Sequence, residues 1–338
     1  MKHTELPFEE KPYLSMYQNL AFPLGIVQAN ARRAGLDITP WLCGKYINCM
    51  YTDVWPDRRF SICTHDEWYQ ADAVFSMRSI LLTPAFYQAL QIDRMDLLKR
   101  MLDQGYYVCG TFNEQYIPGK SSYQHAYFPH GFLLFGYHDP DGYFSAAGYL
   151  SDGYFHSFRV SYADFWNAIL TVRQEKCGFD FYRYRPDATF PLRVDIIRQG
   201  LHDYPHSTST VVQKQKRAKY GLCAVEAWKQ YFCACMEENR MDLRYTKGLL
   251  EHKLLMHMRV QYLYAHGYLS DPGWVKAAQS VYRKMTQFHL IALKYTVQQR
   301  IRSTQFIELI DEALETEKAY LPELLQELTK RNEDQHDA

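Results

Sequence analysis

Residues 130 to 160 leave the backbone few choices. The run HGFLLFGYH (130–138), the turn DPDG (139–142), YFSAAGYL (143–150), the turn SDG (151–153) and YFHSFRV (154–160) alternate strand-forming residues with tight-turn chemistry. Turns this short join antiparallel neighbours, so the stretch predicts a three-stranded meander. SYADFWNAILTVRQ (161–174) follows, with Ser161 placed as a helix cap and Phe165, Ile169 and Val172 at helical spacing. A helix there seals the meander.

The flanking sequence sorts into two textures. YLSMYQNLAFPLGIVQANARRAGLDIT (13–39) reads as a helix from about Ser15 that ends before Gly35, with Pro23 and Gly25 expected to kink or shorten it. DRMDLLKRMLDQGYYVCGTF (93–112) reads as a helix stopped by Gly105 and followed by a buried strand. From about 195 to 330 strand alternation disappears and apolar residues recur every three or four positions. The expected fold is therefore α+β: a domain over 1–190 with an antiparallel sheet and an N-terminal helix, an all-helical domain over 191–330, and a disordered tail at 331–338. A chain of 338 residues is long enough for two such cores.

Charge and composition narrow the partners. Lys plus Arg and Asp plus Glu both number 38, so no basic field gathers nucleic acid. No stretch approaches the roughly 20 apolar residues of a membrane span, and MKHTELPFEEKPY lacks the apolar core of a signal peptide. The expectation is a soluble, cytoplasmic protein without membrane or nucleic-acid partners. The 8 cysteines are scattered with no CxxC pair, which favours reduced, buried thiols. His252 and His257 diverge on a helix, and Pro205 interrupts the pair His202 and His206, so no metal site is expected. Nucleotide and serine-hydrolase signatures are missing too, and no cofactor is expected.

His130 leads the meander, and its chemistry depends on what stands before it. A histidine entering a strand, preceded by a helix that opens on a cysteine, is the arrangement of papain-like thiol catalysis. The chain resembles the butirosin-biosynthesis acyltransferase-like (N-terminal domain) family, which shares a papain-like fold with bacteriocin-processing cysteine peptidases. The resemblance rests on YLSMYQNL (13–20), MLDQGYYVCGTFNEQYIPG (101–119) and FPHGFLLFGYHDPDGYFSAAGYLSDGYFHSFRVSYADFWNAI (128–169), and covers about residues 10–175. It implies a place in nonribosomal peptide or related antibiotic biosynthesis.

The resemblance also exposes two departures. Where active relatives open the first helix on cysteine, this chain has Met16, and the orienting Asp or Asn expected on the next strand falls at Ala146 or Ala147. Ser15 is adjacent and is either a substitute nucleophile or a helix cap; a neighbour on a helix points about 100° away. His130 is either the surviving base or a core histidine. Met16, Tyr17, Gln18 and Asn19 at the helix start, with Tyr116 and Tyr127 from the aromatic segment 106–130, are the candidate substrate-binding residues.

Two functions follow from this. One is acyl or peptidyl transfer from an acyl- or peptidyl-carrier protein thioester, or on a peptide substrate, with a degenerate thiol triad. The other is a catalytically inactive binding or scaffold module for a peptide, a carrier protein or an assembly-line partner. The basic run QKQKRAK (213–219) is a solvated helix face or a carrier-protein dock, and the helical domain is a candidate for self-association.

Overall fold

The computed structural model describes residues 2–53, 59–63, 74–81, 89–173, 178–210, 217–238, 242–298 and 303–336. The chain is mixed α and β with antiparallel sheets, as expected, and divides into two compact units: 1–36 with 69–189, and 37–68 with 190–338.

The first unit is built on one antiparallel sheet. Its strands are β1 (His3–Glu5), β4 (Phe75–Leu81), β5 (Tyr106–Asn113), β6 (Pro129–His138), β7 (Tyr143–Tyr149), β8 (Phe155–Ser161) and β9 (Gly178–Tyr184), in the order β4-β9-β5-β6-β7-β8, with β1 paired to the end of β6. The predicted meander is β6-β7-β8. Its closing helix is α4 (Tyr162–Leu170), where Ser161 accepts the Asp164 amide as foreseen. Helix α3 (Arg94–Asp103) starts on Asp93, whose side chain accepts the Asp96 amide. Leu98 and Leu102 of α3 and Phe165, Ala168 and Ile169 of α4 pack with Val108, Phe112, Phe132, Leu134, Phe144 and Val160 of the sheet. That face holds the main core.

Helix α1 (Gln18–Arg33) takes the other face, where Phe22 meets Phe155. It starts three residues later than expected and runs uninterrupted through Pro23 and Gly25. Pro23 withholds one amide, from the carbonyl of Asn19, a solvent-exposed residue where water can take the bond. Gly25 is needed for contact rather than for a break: a Cβ there would stand 2.6 Å from the ring of Phe8. β1 and β9 were not anticipated. β9 carries GFDFYRY, whose rings and charges suit a strand flanked on both sides, and β1 has only three residues.

The second unit departs from the all-helical expectation. It contains α2 (Thr39–Cys43), β2 (Asn48–Thr52), β3 (Arg59–Cys63), α5 (Val194–Asp203), β10 (Ala218–Tyr220), α6 (Gly221–Glu237), α7 (Leu243–Ala265), α8 (Pro272–Gln298) and α9 (Ser303–His336). β10, β2 and β3 form a second antiparallel sheet, so the boundary expected near 190 must be supplemented by the excursion 37–68. Buried polar groups tie that excursion down. Arg259, fully buried on α7, donates to the carbonyls of Cys43 and Lys45 at 2.6 and 2.7 Å, and His252 donates from Nε2 to Ile47 at 2.9 Å. Lys219 lies on β10, which corrects the helical reading of the basic run; 213–216 are outside the described residues. The tail expected from 331 is helix through His336, because α9 continues. Among the described residues no helix is long and apolar enough to cross a membrane.

Candidate functional site

Helix α1 begins beside the start of β6, and Gln18 bridges the two. Its Nε2 donates to the Gly131 carbonyl at 2.6 Å and lies 3.0 Å from Nε2 of His130 and 3.3 Å from Nδ1. Nδ1 of His130 is closer to Oε1 of Glu114, at 2.9 Å. A carboxylate only accepts, so the pairing places the proton on Nδ1 and leaves the Nε2 lone pair facing the Gln18 amide. This is the tautomer of an oriented base.

Glu114 reaches His130 because of how β5 ends. Phe112 stands opposite His130 in the β5–β6 ladder, which makes Glu114 a diagonal neighbour on the same face. The chain then tightens into a 3-10 turn at Glu114–Tyr116, capped by Asn113, whose Oδ1 accepts the amides of Gln115 and Phe128. Lys120 lies behind the carboxylate, with Nζ 2.8 Å from Glu114 Oε1 and 2.6 Å from the Tyr149 carbonyl. Its ammonium also sits over the rings of Phe132 and Phe158 at 5.6 and 5.2 Å. Burial by itself would raise Glu114, but the His130 hydrogen bond and the Lys120 charge outweigh it and hold the carboxyl below its usual range. Burial likewise draws Lys120 below its usual range, against the pull of Glu114.

The imidazole is not a core histidine. Its side chain is 39% exposed, beside the ring of Phe128 at 5.5 Å. The orienting carboxylate, sought at Ala146 or Ala147, comes instead from Glu114; both alanines are fully buried on β7. Met16 is buried, and Ser15, also buried, precedes the helix and receives the Tyr149 hydroxyl on its carbonyl at 2.5 Å. The cap residue is Tyr17, which corrects the reading of Ser15 as a helix cap. Asn19 is exposed on the first turn, where the amides of Gln18 and Asn19 have no carbonyl within the helix to bond.

Tyr116 closes the same 3-10 turn as Glu114, and Tyr127 directly precedes Phe128. Tyr116 packs against the main core, and Tyr127 lies under the Arg173 guanidinium at 5.3 Å. Phe128 and Glu114 are the neighbours of His130 that the sequence did not single out. Among the cysteines, burial pushes Cys43 up to about 11 and Cys109 up to about 12, so neither supplies a thiolate near neutral pH. Among the described residues no group of three or more His, Cys, Asp or Glu side chains is placed to hold a metal ion.

No protein-family model matches the chain, and no curated protein matches it. The chemistry therefore has to be argued from the site itself. An imidazole with Nδ1 held by a buried carboxylate can accept a proton from an incoming nucleophile on Nε2 once the Gln18 carboxamide moves off that nitrogen.

Proposed function

We propose that the chain is an enzyme of acyl or peptidyl transfer in nonribosomal peptide or related secondary-metabolite biosynthesis, with a papain-like first unit that has no cysteine at the nucleophile position. The observation that carries this reading is the Glu114–His130 pair set against the start of α1. A carrier-bound thioester is already activated, so direct attack by an amine needs a positioned base but no covalent enzyme intermediate. His130 takes the proton as the amine nitrogen bonds to the carbonyl carbon, the C–S bond breaks, and the proton passes to the leaving thiolate. The first-turn amides of Gln18 and Asn19, which have no carbonyl within the helix to bond, are suited to hold the oxyanion. Gln18 must swing off Nε2 for the base to act.

A second reading is a module that binds a peptide, a carrier protein or an assembly-line partner without reaction. It is favoured by the buried methionine at position 16 and by the carboxamide that occupies the imidazole nitrogen. The two separate when the protein is mixed with acyl-carrier thioesters and amine acceptors. Amide formation that disappears in His130→Ala and falls in Glu114→Gln supports transfer. Thioester binding without turnover, unchanged in both variants, supports the module.

A further inference from the structure

The far end of α1 borders a different cavity. Arg33, the last residue of α1, lines a cleft of about 700 Å³ together with Arg159 of β8, and with Glu5 and Glu10 of the N-terminal segment. Helix α1 spans 16 residues, so this cleft lies about 22 Å along the helix from Gln18. Of the residues described around His130 it shares Phe158, which borders the cleft and lies under the Lys120 ammonium.

The cleft has the size of a small-molecule site, which ordinarily runs about 300–1,000 Å³. Its walls have an apolar part, in which Phe8 stacks on Phe135 at 5.1 Å, and a charged part that is left incomplete. Among the described residues neither Arg33 nor Arg159 is in an ion pair; the guanidinium carbon of Arg159 lies over the Tyr143 ring, 4.5 Å from its centroid. Glu10 has no cationic partner among the described residues either, whereas Glu5 accepts the Ser145 hydroxyl at 2.8 Å. Two guanidinium groups and two carboxylates beside stacked phenyl rings balance to zero net charge. A ligand that carries only one sign of charge leaves half of these groups unanswered.

The geometry points to a binding site for a zwitterionic amino acid or short peptide with an aromatic side chain. Its carboxylate faces the arginines, its ammonium faces Glu5 and Glu10, and its ring lies against Phe8 and Phe135. The site is independent of the proposed transfer chemistry.

The test is calorimetric titration of the full chain with L-phenylalanine, L-phenylalaninamide, which lacks the carboxylate, and N-acetyl-L-phenylalanine, which lacks the ammonium. Saturable binding of phenylalanine, with each analogue at least about tenfold weaker, is the expected result. Arg159→Met should weaken phenylalanine but leave the amide unchanged, and Glu10→Gln should weaken phenylalanine but leave the acetyl compound unchanged. Absence of phenylalanine binding up to about 10 mM, equal binding of all three probes, or indifference to both substitutions overturns the proposal.

Discussion

Among the described residues, both units hold a lysine–glutamate pair sealed from solvent together with a third polar group, and the pairs differ in where that group leads. In the second unit Lys253 and Glu317 have side chains 1% and 0% exposed. Lys253 also donates to the Tyr204 hydroxyl, which in turn donates to Glu317 at 3.0 Å, so the triad closes on itself. In the first unit Lys120 and Glu114 have side chains 1% and 6% exposed, but their third member is His130, 39% exposed, with a ring nitrogen turned away from the pair. A buried charge alone is therefore a poor marker of a reactive site, because structural ion pairs satisfy the same description. An open end is the better marker.

The largest effect should come from opening the closed triad. Lys253→Met strands Glu317 without a counter-charge and is expected to destabilise the second unit by about 3–5 kcal/mol in urea unfolding. Lys253→Met with Glu317→Leu removes both charges and should recover most of that loss. A single variant as stable as wild type would show that the triad takes in water and is not closed.

Acid should then separate the units. Burial, with the Lys247 charge, pushes His289 of the second unit down to about 4, and its Nδ1 lies 2.9 Å from the Thr246 hydroxyl. Its folded value lies below the ordinary 6.5, so its contribution is complete above about pH 6.5 and is lost as pH falls toward 4, on the order of 2 kcal/mol after allowance for partial exposure. Glu114 is also held low, but from an ordinary value of 4.5, so the first unit keeps that contribution until the pH falls below the carboxylate range. Peptide-resolved hydrogen exchange at pH 5 should show α7 and α8 loosening while β5 and β6 remain protected, and His289→Gln should flatten the difference. Equal loosening in both units would count against the assignment.

The same contrast explains how much could be read in advance. Short-range chemistry was legible: Ser161 capping α4, Asp93 starting a helix, the turns around 139–142 and 151–153, and His130 leading its strand. Long-range pairing was not. Fifteen residues separate Asn113 from Pro129, and a loop of that length does not fix register, so nothing in the sequence said that Phe112 would lie opposite His130 and bring Glu114 beside it. The excursion of 37–68 into the second unit failed for the same reason, since β2 pairs with β10 across more than 160 positions. Pro23 and Gly25 misled because a breaker was inferred where the packing of Phe8 required a missing side chain.

The smallest effects concern the open end. His130→Ala removes a half-exposed side chain and should cost about 1 kcal/mol or less, in contrast to Lys253→Met, even if it abolishes function. Gln18→Ala probes the nitrogen directly. Diethyl pyrocarbonate acylates the lone pair of a neutral imidazole, and in the wild type that lone pair meets the Gln18 amide at 3.0 Å. Removing a hydrogen bond of about 0.5–1.5 kcal/mol should raise the modification rate at His130 by roughly two- to tenfold, measured by peptide mass mapping. His252, fully buried with Nε2 bonded to Ile47, supplies the internal reference and should stay unmodified until the second unit unfolds. A rate at His130 indifferent to Gln18 would mean that the carboxamide leaves the nitrogen free in solution, and the open end would then be more reactive than its resting geometry implies.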